Sequence, residues 1–220
     1  MADDALVAAR AIRQVARSRM GVILAAAYLL FLASYLAIDA FSVGRTAHTL
    51  FLPGEQRIPF VPEAEFVYAL AYLLPVLAAW KLPDAARLRR LLYALALSLV
   101  VAYATFLLYP VRFDRPAVQV RSVATWLVAL EYRLDPPYNL FPSLHVAIGW
   151  LVWLACRDQV GRRPVFLAVV IGISLSIVFV KQHYLVDGVA GAALAVAAWV
   201  VAGRREGRRA RVLPRRGKGA

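Results

Sequence analysis

Uncharged stretches recur along the chain at the length of a membrane span, and the polar positions fall between them. Residues 20–38, 91–111 and 164–180 are unbroken runs, close to the about 20 residues that carry a helix across a bilayer. Residues 66–80, 142–156 and 184–203 are shorter or are entered by polar side chains. The pattern predicts six transmembrane helices. Between the third and fourth, Val120, Val123, Leu127, Leu130 and Leu134 share one helical face, with Arg121, Glu131 and Arg133 interrupting the rest. That periodicity predicts an amphipathic helix lying in the membrane plane, which leads through Asp135-Pro136-Pro137 into the fourth span. The expected fold is an all-α integral membrane bundle of six spans with one extra in-plane helix. Residues 1–203 form a single membrane-embedded domain that opens with a basic surface helix over 1–19, and a basic tail follows over 204–220. Turn formers (Pro53-Gly54, Pro59, Pro62) mark an outer loop over 42–63, and Pro83 with Asp84 suits the start of the third helix.

Composition sharpens this picture. With 62% hydrophobic residues, the chain is too apolar for an ordinary soluble domain. A net charge of +13 would point to nucleic acid in a soluble protein, but here its distribution decides. Of 26 basic residues, only Arg45, Arg57, Arg112, Arg115, Arg121, Arg133 and Lys181 fall on one side of a six-span arrangement. The positive-inside rule then puts both termini in the cytoplasm. The Arg-rich tail reads as an anchor on anionic lipid rather than a nucleic-acid arm. The first span is longer than a signal-peptide core and has no clean cleavage site, so it reads as a retained anchor in a cell membrane of bacterial type. Cys156 stands alone and reads as a small buried hydrophobe. Neither a nucleotide-binding glycine loop nor a metal-ligand spacing is visible, so no metal and no cofactor are expected.

Two short stretches beside the apolar runs hold two of the three histidines: Phe141-Pro142-Ser143-Leu144-His145-Val146 and Lys181-Gln182-His183-Tyr184-Leu185-Val186-Asp187. An ionisable group at the membrane centre costs about 2.5–3.5 kcal/mol and is usually kept for function. An Asp four residues after a His lies one helical turn away, within reach of an imidazole N–H. Taken alone, the pair also fits an interfacial histidine at a charge-paired helix end, and Pro-Ser-x-His also fits a helix start. The orientation adds weight. Arg112, Arg115, His145, Lys181, His183 and Asp187 all fall at the outer ends of spans three to six, which is the composition of a phosphate site. Pro142 suits a first helical turn, so Ser143 and the free N–H groups there are expected to bind an anion.

The two stretches resemble the second and third motifs of the type 2 phosphatidic acid phosphatase superfamily, and Pro-Ser-Leu-His with Lys-Gln-His-Tyr is similar to its inositol phosphorylceramide synthase branch. The resemblance covers roughly residues 105–195. It implies that His183 attacks phosphorus to form a phosphohistidine, that Asp187 orients it, and that His145 protonates the leaving oxygen. The first motif is half present: Arg115-Pro116 stands at its end, and Leu108 takes the lysine position. In the third motif Ser176 is in place and Ile177 stands where arginine is usual. Arg112 and Lys181 are the natural substitutes, joining Arg115 and Ser143 around the phosphate. The expected partner is a lipid phosphate in the bilayer, handled at the outer face. Hydrolysis ranks ahead of transfer to a second alcohol by a synthase-type reaction. A small transporter is the rival from another class, with polar groups lining a path. His48, Asp39, Glu63, Glu65 and Asp135 read as solvated outer-loop residues.

Overall fold

The computed structural model describes residues 2–82 and 84–212, with side chains over 18–82 and 84–206. Its α-helices follow as α1 (Ala2–Ser42), α2 (Glu65–Tyr68), α3 (Leu74–Lys81), α4 (Ala85–Leu108), α5 (Val123–Leu134), α6 (Leu144–Cys156), α7 (Arg163–Phe179) and α8 (Leu185–Val212). Among the described residues there is no strand, and the chain is all-helical. Four helical stretches are long and apolar enough to cross a membrane: Ser18–Ser42, Pro62–Lys81, Ala85–Leu108 and Leu185–Glu206. α6 and α7 are apolar but shorter, at 13 and 17 residues. The segment read as a surface helix runs unbroken into the first apolar run as part of α1. Pro83 and residues 213–220 of the basic tail lie outside the described residues.

Local chemistry sets the boundaries. Pro75 lacks an N–H and its ring crowds the carbonyl four residues back, so Ala69–Leu73 tightens into a 3-10 turn between α2 and α3. Asp84 caps α4 by accepting the Arg87 N–H at 2.7 Å. Pro110 disfavours the helical conformation for Tyr109, and α4 stops at Leu108 rather than running to the expected 111. Ser122 and Thr125 form a capping box at the start of α5.

α8 packs against α4 and α6, α7 against α6 and α2, and α1 against α3 and α4. The main core runs through Leu74, Ala78, Leu91, Leu151, Ile173, Ala195 and Trp199. A smaller cluster of Tyr68, Val146, Ile177, Val178 and Val180 underlies the histidines. Apolar side chains such as Val22, Leu29, Leu30, Val100, Leu108 and Val189 remain exposed on the helices, as a lipid-facing surface requires. α5 faces the opposite way from a soluble amphipathic helix. Val123 and Leu134 are exposed, while Ala124, Val128 and Glu131 are buried.

Candidate active site

The end of α7 delivers the second histidine stretch. Lys181 adopts the left-handed conformation, with φ of 57°. Its N–H bonds to the Val178 carbonyl at 3.2 Å, and the Gln182 N–H to that of Ile177 at 2.9 Å. These paired bonds define a Schellman cap, with a lysine where glycine is usual. The Lys181 ammonium donates to the Ile58 carbonyl at 2.6 Å, and burial lowers its pKa. The chain then reverses, so His183 precedes α8 and Asp187 sits in its first turn. The pair therefore meets as a helix cap and not across a helical turn. Asp187 Oδ2 lies 2.9 Å from the Tyr184 N–H and 3.3 Å from His183 Nδ1, and a carboxylate is favoured beside the free N–H groups of a helix start. Glu55, from the loop between α1 and α2, accepts the Leu185 N–H at 2.5 Å.

A carboxylate only accepts, so His183 holds its proton on Nδ1 and keeps a lone pair on Nε2. That nitrogen faces Ser143 Oγ at 3.2 Å. Ser143 is the N-cap of α6, so Pro142 lies just outside the helix and not in its first turn. The Ser143 N–H donates to the Asp187 carbonyl at 3.0 Å, tying the starts of α6 and α8 together. Gly191 makes this approach possible, because a Cβ there would collide with the Ser143 carbonyl oxygen. His145 lies in the first turn of α6, its ring 5.8 Å from that of His183.

Glu131 on α5 organises the other side. Its Oε1 accepts the Tyr72 hydroxyl at 2.6 Å, the Gln182 amide at 3.2 Å and the Tyr68 hydroxyl at 3.3 Å. Both tyrosine oxygens in turn lie near His145 Nε2, at 3.1 Å for Tyr68 and 3.4 Å for Tyr72. Their protons are committed to Glu131, so they accept from His145 and fix its tautomer. Burial pushes the Glu131 carboxyl above its ordinary range. Glu131, Asp135 and His145 place one donor atom each within 4.8 Å of one another, the spacing of a metal-ligand set. Those donors are engaged elsewhere: Glu131 as above, Asp135 by the Tyr35 hydroxyl at 2.6 Å, and His145 by the two tyrosines.

Both histidines border a cavity of about 570 Å³ between α1, the Pro62–Lys81 segment, α5 and α6. Of the seven residues singled out by sequence, His145, His183, Asp187 and Ser143 are brought together. The three cations are not. Arg112 pairs with Asp114 at 2.8 Å on the surface. Arg115 donates to the Asp135 carbonyl at 2.5 Å and stacks on Tyr132. Lys181 is held by Ile58. Three residues read as solvated are in fact buried: Asp39, Glu65 and Asp135. Asp39 accepts from the Asn139 amide, and the other two line the cavity. Sequence reasoning missed Glu131, Tyr68, Tyr72 and Gln182 as site residues. A signal existed in the steps of four, three and four that put Ala124, Val128, Glu131 and Asp135 on one helical face.

Residues 46–201 match the model of a family described as the PAP2 superfamily, and the chain belongs to that superfamily. Membership suggests a phosphatase or phosphotransferase, and with the apolar helices it suggests a membrane protein. No curated protein and no solved structure is matched by the chain.

Proposed function

We propose that the chain takes a phosphoryl or substituted phosphoryl group from a lipid phosphate, through a phosphohistidine on His183. The observation that carries this reading is the line Asp187–His183–Ser143, with His145 beside it on the wall of one cavity. The His183 Nε2 lone pair attacks phosphorus, and Asp187 stabilises the imidazolium that forms. His145 gives a proton to the leaving oxygen. The phosphate lies at the start of α6, where the Ser143 hydroxyl and first-turn N–H groups are donors. Arg115, whose buried Nε has no partner, joins it with Lys181 and Arg112 after their side chains turn inward. No metal takes part in the transfer.

In this reading α6 and α7 also cross the bilayer, giving six spans, with α5 in the membrane plane. α6 is short because irregular backbone before it lines the cavity, the one setting in which such backbone is tolerated at membrane depth. The charge distribution supports cytoplasmic termini and a cavity toward the outer face. Two histidines on one cavity wall favour an enzyme over a transporter, whose polar groups would be strung along a path. Water is the first-ranked acceptor. Transfer to an alcohol is the second reading, favoured by a cavity much larger than a water and a phosphate require. Incubating the purified chain with labelled donor lipid, with and without alcohols, tests both. Labelled free phosphate or a labelled water-soluble phosphate monoester supports hydrolysis, a labelled new lipid supports transfer, and a His183→Ala variant that keeps full turnover contradicts the scheme.

A further inference from the structure

The cavity beside the histidines carries the wrong charge for a ligand that is only an anion. Glu65, Glu131 and Asp135 line it, and no lysine or arginine is among its lining residues. The three carboxylate residues are 2%, 6% and 7% exposed. Carboxylates gathered in one apolar enclosure are costly, and buried charges in proteins are normally paired; the cation that acts on this group is Arg115, which lies outside the lining and reaches Glu131 but not Glu65. Glu131 and Asp135 do not lack hydrogen-bond donors. Tyr72, Gln182 and Tyr68 already supply Glu131, and Tyr35 supplies Asp135. Positive charge inside the cavity is what is missing. Glu65 gives the independent sign of a ligand, since its Oε2 is buried with no hydrogen-bond partner. The rings of Tyr28, Phe31, Tyr35 and Tyr72 line the same cavity, and aromatic faces with carboxylates form the usual cage for an ammonium group.

We infer that the cavity takes an ammonium group, so that the substrate is a zwitterionic lipid phosphodiester with an amino-alcohol head group. This rests on the phosphohistidine reading of the same site. The phosphorus lies at His183 and the ammonium sits among Glu65, Glu131 and Asp135. In the first half-reaction an N–P bond forms from His183 Nε2, and the P–O bond to diacylglycerol breaks. The departing oxygen keeps the bonding pair and takes a proton from His145. In the second, water attacks phosphorus and returns a proton to His145 while the N–P bond breaks. The net result is hydrolysis to diacylglycerol and a phosphorylated amino alcohol. A polyol head group would bring hydroxyl donors but no positive charge.

The test presents the full chain with detergent micelles of one lipid at a time: phosphatidylethanolamine, phosphatidylcholine, phosphatidylglycerol, phosphatidylinositol or phosphatidic acid. The readout is released lipid alcohol. The ammonium lipids should exceed the others about tenfold in kcat/KM, the worth of one charge-assisted contact. Glu65→Gln should erase most of that preference, chiefly through KM. Free choline should inhibit the wild-type chain while its uncharged carbon isostere does not, a comparison that needs no variant to fold. Preference for phosphatidylglycerol, phosphatidylinositol or phosphatidic acid overturns the inference, as does equal inhibition by choline and its isostere. If such turnover still requires His183, the phosphohistidine reading survives. If no lipid is turned over, both fall.

Discussion

Glu131→Gln isolates a carboxylate that touches neither the attacking nor the leaving atom yet holds the proton donor in place. The glutamine is nearly isosteric, so the change removes charge and leaves packing alone. A hydrogen bond to a charged group contributes about 1.5–3 kcal/mol against about 1 for a neutral one. The short Tyr72 bond at 2.6 Å loses most of that difference, and the longer Tyr68 bond at 3.3 Å loses less. About 1.5–2 kcal/mol of support for the tyrosine pair therefore goes, and the amide N–H groups now compete with the Gln182 donor. If His145 depends on that pair, kcat falls about 10- to 30-fold. The pH profile carries a second signature. Burial raises the Glu131 pKa, so the network loses its charge as pH falls through that raised value. Wild-type activity should show an acid limb there, and the variant should lack it. Stability runs the other way. A carboxyl raised in the fold contributes stability fully present below its unfolded pKa and lost as pH rises through the folded one, so the variant loses no stability at neutral pH on this account. Steady-state kinetics across pH, beside thermal unfolding in the same detergent, measures both. A kcat within twofold of wild type, with the acid limb intact, would refute the reasoning.

Other changes probe separate parts of the site. Asp187→Asn removes the acceptor that holds the Nδ1–H tautomer and should lower kcat about 10- to 100-fold with the chain still folded; unchanged turnover would remove Asp187 from the mechanism. Gly191→Ala drives a methyl into the Ser143 carbonyl, at about 1–3 kcal/mol of overpacking, and should lower both the melting temperature and activity by separating Ser143 from His183. Full activity in that variant would show the contact is not needed. Turnover should survive EDTA, and a loss on chelation that a divalent ion restores would mean that the Glu131–Asp135–His145 group binds metal after all.

The sequence was most informative where local spacing and chemistry coincide. His183 and Asp187 lie four residues apart, and Ser143 with His145 opens a helix, so each pair is local and visible in the chain. The contact between the pairs depends on Gly191, whose Cβ would strike the Ser143 carbonyl oxygen, and nothing local in the chain pairs those two positions. Glu131 was hidden for a different reason. Its helix was read by its leucine stripe, which assigns the opposite face to water, whereas in this bundle that opposite face is buried. Tyr68 and Tyr72 join Glu65 on one face of an apolar span, and their partners lie about sixty to eighty residues away. No periodicity encodes such distant pairings. Arg115 follows from the Arg-Pro end of the first motif and Arg112 and Lys181 from charge and position, but the carbonyls and carboxylate that hold all three belong to loops whose course the pattern does not give.

The covalent intermediate is the central claim, and trapping it is the most direct test. A lipid donor radiolabelled at phosphorus is mixed with enzyme, quenched in alkali within one turnover, and the protein is digested and mapped. Label retained on His183, absent from His183→Ala, and discharged on acidification as expected for an N–P bond is the predicted result. Turnover at full rate with no label on the protein, or label on His145 instead, would contradict the account.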